Sequence, residues 1–261
     1  MPKPSTLEPT PRKELHVFYV LDTSGSMAGA KISALNHAME ECTVALKDLA
    51  KKNADADLRI AVLEFNSGCR WITSNGPESL EDFEYEHLEC GGITDVGCAL
   101  KELDSKLSRD AWLNSMVGAL MPVIIFMTDG FATDDYKSAL EQIRLNKWFR
   151  KATKIGFAVG EDSDVDLSML CSVVGNSEAV IKTTDLDLFS RLMRFVTVTS
   201  SMLASQTRTA NTVVTGADVV GGAINETGEE VETSGLDGSE YSPEPPAPEE
   251  DDDWGADMKD W

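Results

Sequence analysis

The chain has 261 residues, with 45 Asp and Glu against 23 Lys and Arg, for a net charge of −22. That length suits one large domain with a real core or two small ones, and a hydrophobic share of 42% excludes wholesale disorder. So acidic a surface repels phosphates and argues against non-specific binding to nucleic acid or anionic membrane. The charge is uneven, because residues 223–261 hold 14 acids and the single base Lys259, a net −13 that leaves −9 for everything before them.

Residues 1–11 read as a flexible lead. The first 14 residues are polar and Pro-rich without an apolar stretch, which gives no sign of a signal peptide. Residues 15–21 are a short apolar run ending at Asp22 and read as a buried strand, followed by Thr23-Ser24-Gly25-Ser26. Ile32, Leu35, Met39, Cys42, Leu46 and Leu49 recur at steps of three and four, which predicts a helix over about 31–52. Residues 58–65 read as a strand, with 69–73 returning beside it as a hairpin through Asn66-Ser67-Gly68. A polar, acidic loop over 75–89 leads to Cys90-Gly91-Gly92-Ile93-Thr94-Asp95 and a second helix carrying Val96, Leu100, Leu103 and Leu107.

Residues 122–127 are the most continuous apolar run and end in Thr128-Asp129-Gly130. One amphipathic helix is expected over 134–151, opened by Thr133-Asp134-Asp135, in which capping is the expected role of the two aspartates. A strand over 154–159, a short helix over 166–174, a strand over 179–182 and a closing helix over 187–203 follow. Apolar strands alternating with helices predict an α/β fold whose mainly parallel sheet is covered on both faces. Residues 204–222 are Thr/Val/Gly-rich and expected to be weakly structured, and 223–261 read as an acidic disordered tail. That tail carries Trp254, Met258 and Trp261, which suit apolar anchors for docking onto a basic groove; a solvated tail with incidental tryptophans is the alternative.

Five cysteines, Cys42, Cys69, Cys90, Cys98 and Cys171, are odd in number and lack C-x-x-C spacing, so free thiols in a reducing cytoplasm are expected. Residues 111–127 are the most membrane-like stretch, but Asn114, Ser115, Gly118 and Pro122 interrupt them. His16, His37 and His87 lack ligand spacing and read as structural or exposed.

The chemistry concentrates in oxygen. Asp22 and Asp129 each follow a buried strand, and ligands of open α/β sheets bind beyond such strand ends, where the strand order reverses. Ser24, Ser26 and Thr94 add neutral hydroxyls. On its own, the 22–26 segment reads equally well as a helix cap, and Asp129 as a turn aspartate; together they read as a site for a hard cation, Mg²⁺ first, with Ca²⁺ or Mn²⁺ as alternatives. Mg²⁺ keeps several waters, which leaves a position that an acidic side chain of a partner protein would fit.

Asp-x-Ser-x-Ser (Asp22, Ser24, Ser26), Gly-Gly-x-Thr-x-x-Gly-x-Ala-Leu (residues 91–100) and Thr-Asp-Gly (residues 128–130) together resemble the metal-ion-dependent adhesion site (MIDAS) of von Willebrand factor type A (VWA) domains, over roughly residues 12–203. The resemblance implies a Rossmann-like sheet with one antiparallel edge strand and helices on both faces. It also implies Ser24, Ser26 and Thr94 as direct metal ligands, with Asp22 and Asp129 acting through water or in support. Val-Leu-Asp-Thr-Ser-Gly-Ser-Met, Phe-Met-Thr-Asp-Gly and Thr-Asp-Asp-Tyr further resemble bacterial tellurite-resistance-type (TerY-like) proteins, which implies association with a protein kinase and a PP2C-type phosphatase.

Two function classes follow. The first is a non-enzymatic, cytosolic binding module that captures an acidic partner residue through a metal. The second is a Mg²⁺-dependent phosphohydrolase with Asp22 as nucleophile, but haloacid-dehalogenase-type enzymes place a second Asp where Ser24 stands, and the Walker-A, Gly-x-Ser-x-Gly and His-Glu-x-x-His motifs are missing. The tail adds a third question: its acids could serve as a tethered competitor for the metal site, or Thr227, Thr233, Ser234, Ser239 and Ser242 as phosphorylation sites.

Overall fold

A computed structural model describes residues 11–161, 163–206, 215–227 and 232–233. The first apolar run forms β1 (Lys13–Asp22), in which Val17, Tyr19 and Leu21 point to one face and Phe18 and Val20 to the other, all buried. Strands β2 (Ala56–Asn66), β5 (Val123–Thr128), β6 (Thr153–Val159) and β7 (Val180–Thr183) run parallel to it in the order β2-β1-β5-β6-β7. The predicted hairpin is present, with β3 (Gly68–Trp71) antiparallel to β2 at one edge. The two-residue β4 (Glu78–Ser79) also pairs antiparallel with β2, and β8 (Glu232–Thr233) pairs antiparallel with β7 at the other edge.

Helices α1 (Ala30–Lys52) and α6 (Leu186–Gln206) cover one face, packing on each other and on the inward rows of β1 and β2. Helices α2 (Val96–Lys106), α3 (Tyr136–Ile143), α4 (Lys147–Lys151) and α5 (Leu167–Val174) contribute to the core on the other face. Tyr19 crosses into the first layer and donates its hydroxyl to Thr197 Oγ1 at 3.0 Å, so its polar end is satisfied inside the core. Because β2 and β5 flank β1 and their connections cross opposite faces, the strand order reverses at β1. The crevice lies where the carboxyl ends of β1 and β5 sit side by side.

Four expectations need correction. The helix expected over 134–151 is two helices, because Asn146 caps α4 through its side chain (accepting from Trp148 N, 2.9 Å) while its amide donates to Asp104 Oδ1 and Leu107 O. The loop at 75–89 is packed: Leu80, Phe83 and Leu88 are buried, and Asn36 of α1 bonds both backbone groups of Leu88. The boundary drawn between a weakly structured 204–222 and a tail from 223 falls inside helix α7 (Gly216–Thr227), whose Val219, Val220 and Ala223 join the core beside α6. Finally, Cys69 and Cys98 form a disulfide joining β3 to α2, while Cys42, Cys90 and Cys171 keep their thiols. The inference from dispersed thiols to a reducing compartment thereby loses its premise. Among the described residues no helix is long and apolar enough to cross a membrane. The anchors Trp254, Met258 and Trp261 lie outside the described residues.

The disulfide closes a separation of 29 residues, which is worth about 3–4 kcal/mol by chain-entropy reasoning. A Cys69→Ala/Cys98→Ala variant is expected to lose about that much in guanidinium denaturation, and wild type treated with dithiothreitol to lose the same. A second expectation concerns Lys154, whose ammonium donates to Phe149 O at 2.9 Å; burial first, and then the charge of Arg144, push it down to about 8. The unfolded chain holds that proton up to the ordinary 10.5, so stability rises with pH between those values, by about 2–3 kcal/mol from pH 8 to pH 10. Urea titrations across that range should show this slope in wild type and not in Lys154→Met.

Candidate metal centre

Parallel pairing puts Leu21 opposite Met127, so the next residues along β1 and β5 bring Asp22 and Thr128 together and set Asp129 just beyond. Asp22 is fully buried, accepts from Ser24 N at 2.8 Å through Oδ1 and from the Thr128 hydroxyl at 2.6 Å through Oδ2. Thr128 Oγ1 in turn accepts from Gly130 N at 3.3 Å, which folds the loop after β5 back over the strand end. Ser26 donates to Asp129 Oδ1 at 2.6 Å, and the Ser24 and Ser26 hydroxyls lie 3.0 Å apart. The five oxygen-bearing residues singled out in the sequence are thus gathered at one place, four of them in direct hydrogen-bonded pairs.

Thr94 arrives on a separate loop. A Cβ built on Gly130 would sit 3.6 Å from Ser26 Oγ and 3.7 Å from Thr94 Oγ1, so both hydroxyls face the same piece of backbone. The loop is held by Gly25 N donating to Gly92 O at 3.1 Å and Gly91 N donating to Thr23 O at 2.8 Å. Gly92 has φ +76°, and a Cβ there would fall 2.4 Å from Ser67 Oγ, so this turn needs glycine on both counts. Thr94 N donates to Thr133 Oγ1 at 3.1 Å, and Thr133 N returns a bond to Thr94 O at 2.9 Å, which ties the Thr94 loop to the loop after β5.

The two aspartates of 134–135 divide their labour. Asp135 caps its own helix α3, accepting from Ser138 N. Asp134 reaches across to α2 and accepts from Gly97 N (2.8 Å) and Cys98 N (2.9 Å), so it caps the helix that follows Thr94. Gly97 makes room for it: a Cβ there would lie 2.8 Å from Asp134 Oδ2. The Gly of Gly-x-Ala-Leu was the available signal for that contact. Thr128 was likewise visible in Thr-Asp-Gly, although no role was assigned to it.

Over Asp129 opens a cavity of about 470 Å³, lined by Ser26, Thr94 and Asp129 with Lys31, Gly130, Phe131, Ser163 and Asp164. Lys31, Ser163 and Asp164 were not anticipated. Lys31 Nζ lies 2.7 Å from Asp129 Oδ2, a carboxylate whose side chain is fully shielded from solvent. At the rim, Phe131 is 53% exposed. Desolvation raises the Asp22 carboxyl above its ordinary value; the bonds from Ser24 and Thr128 pull it back, and the charge of Asp129 pushes it further up.

The residues present fit a divalent cation. Two buried carboxylates converge with three hydroxyls, all of them hard oxygen donors, and the structure already sets a positive group, the Lys31 ammonium, against one of them. Ser24, Ser26 and Thr94 would supply neutral oxygens, and Asp22 and Asp129 the charge.

No family model matches the chain. Among solved structures it is similar to a von Willebrand factor type A protein from Catenulispora acidiphila, with 19% identity and a TM-score of 0.53 over 74% of this chain and 43% of that one. It is similar to proximal thread matrix protein 1 from the mussel byssus, in a structure with a zinc-occupied MIDAS motif, at 16% identity and a TM-score of 0.53 over 73% and 48%. The ArnB paralogue VWA2 from Sulfolobus acidocaldarius matches at 18% identity and a TM-score of 0.50 over 70% and 44%. This chain therefore has the VWA fold, and it spans less than half the length of each of these proteins.

Ionised Asp22 is a cost to the metal-free fold. Its folded-state value is raised, so the stability present at low pH is lost as pH climbs through that value. Asp22→Asn keeps the shape and removes the charge. In EDTA at pH 7 its Tm is expected at or above that of wild type, whereas added Mg²⁺ should raise the wild-type Tm alone. A variant Tm clearly below wild type in EDTA would contradict this account.

Proposed function

We propose that the chain is a non-enzymatic interaction module that holds a divalent cation, Mg²⁺ first, at Ser24, Ser26, Thr94, Asp22 and Asp129 and uses it to take an acidic side chain of a partner protein. The observation that carries this reading is the convergence of the five residues from three loops beneath a cavity open to solvent. A bound divalent ion supplies a positive centre for a carboxylate. The chain's own residues do the rest: Asp22 and Asp129 neutralise, the hydroxyls orient, and Gly91 and Gly92 let the Thr94 loop come close.

The rim narrows the partner's chemistry. Phe131 lines the cavity with Asp129 and Thr94 and stands exposed, so a carboxylate flanked by an apolar residue fits better than one in a uniformly charged run. The resemblance to TerY-like proteins supports a place beside a kinase and a PP2C-type phosphatase as a signalling scaffold.

The phosphohydrolase reading is the weaker one. Asp22 has no solvent exposure, and both of its oxygens already accept short hydrogen bonds, so its carboxylate is poorly placed to attack a substrate. Isothermal titration with Mg²⁺ and Mn²⁺ should give binding heat for wild type and none for Asp22→Ala/Asp129→Ala. Pull-downs should lose the partner in the same variant and in EDTA, and phosphoester substrates should show no Mg²⁺-dependent turnover. Equal heats from wild type and double variant would end the metal reading.

A further inference from the structure

Lys31 is an odd residue for its position. It is in the first turn of α1, where the aligned peptide dipoles disfavour a cation, and that turn has no acid to offset it. Its partner comes instead from the loop after β5: Nζ donates to Asp129 Oδ2 at 2.7 Å, beside the backbone of Gly160. The contact is unequal in burial, since the lysine side chain is 26% exposed and the aspartate 0%. The ammonium therefore enters the cavity from the solvent side and can leave it without opening the core. Meanwhile Asp129 Oδ1 is held by Ser26 independently, so the carboxylate stays in place if the lysine departs.

A lysine head is a compact monovalent cation on a flexible stem. Here it stands against a carboxylate assigned to the metal, within the cavity lined by Ser26 and Thr94. We infer that Lys31 is an internal counter-ion: it occupies Asp129 in the metal-free protein and gives it up on metal uptake, so that it lowers metal affinity and keeps the empty site folded. The inference rests on the metal reading above. It makes uptake an exchange of one cation for another, in which the like-charge burden of Asp22 and Asp129 is never left without a positive neighbour. It also leaves a mobile ammonium at the rim once the site is filled, where an incoming carboxylate is attracted.

The test compares wild type, Lys31→Met and the charge-keeping Lys31→Arg, with Lys51→Met as a control for general charge, since Lys51 pairs with exposed Asp48 on the same helix, away from the site. Mn²⁺ and Mg²⁺ affinity is read by titration calorimetry, Tm in EDTA by scanning fluorimetry, and access to Lys31 in wild type by amine acylation and peptide mass mapping. Lys31→Met should bind Mn²⁺ about 10-fold or more tighter, the gain of no longer breaking a partly buried charge-assisted hydrogen bond. It should also melt lower than wild type in EDTA, with Lys31→Arg and Lys51→Met close to wild type. Acylation of Lys31 should rise severalfold on adding Mg²⁺. Unchanged or weaker affinity in Lys31→Met, with wild type binding normally, overturns the inference and leaves the metal reading standing. Tighter binding with acylation unaffected by Mg²⁺ also overturns it, because the lysine would then merely repel the ion. If neither wild type nor Lys31→Met binds, both readings fall; binding by Lys31→Met alone is the inference in its strongest form.

Discussion

The molecule is organised around the close approach of two carboxylates at the ends of neighbouring parallel strands. Asp22 and Asp129 are both buried, and desolvation first, with the charge of Asp129 adding to it, raises the proton affinity of Asp22. A fold does not hold like charges in a dry place without compensation, and the surrounding structure shows where that compensation comes from. Thr128 and the Ser24 amide serve Asp22; Ser26 and Lys31 serve Asp129. Burial that would be a defect in a plain core is the condition for gripping a cation, because a carboxylate short of solvent gains most from a metal.

Precision in the site is inherited from regular structure. The register of β1 against β5 fixes one aspartate relative to the other. Thr94, a ligand in the proposal above, stands on a loop, and the molecule stiffens that loop from four sides: Gly25 and Thr23 below, Thr133 beside, Asp134 on the helix start behind, and the Cys69–Cys98 bridge at the sheet edge. Asp95 extends the bracing, accepting from Gly68 N at 2.8 Å and from the Thr133 hydroxyl at 3.2 Å. Such bracing limits how far the donors drift when they must meet a small ion.

Much of this was legible in the chain itself, and for definite reasons. Buried strands announce themselves as unbroken apolar runs, so residues 15–21 and 122–127 led directly to β1 and β5, and the motif residues followed from what stood just past each run. The split between α3 and α4 was not legible, because Asn146 breaks the helix by bonding Asp104 and Leu107, residues distant in sequence. Asp134 was read as a local cap for the same reason: short-range rules prefer the nearest helix, and its true partner is α2. Lys31 escaped notice because a lone lysine on a helix looks like any solvated charge until its tip is seen on Asp129. The cysteine pair was hidden by an odd count and by a separation of 29 residues that carries no motif. Helix α7 is not legible because its three glycines disfavour a helix locally, while its three buried apolar side chains find α6.

The margins of the sheet bear on how this molecule meets others. Among the described residues the long parallel strands are all interior, and the borders are β3, with four residues, and β4 on one side and β8 on the other, each with two. A border that short offers few unpaired amides and carbonyls for a foreign strand to zip onto. Among the described residues, strand addition is thus discouraged on both flanks, which agrees with the proposal that contact is made at the end of the sheet that bears Asp22, Thr94 and Asp129. An oxygen-lined pit demands a matching charge and shape, whereas a bare edge accepts almost any extended chain; the architecture closes the indiscriminate route and keeps the discriminating one.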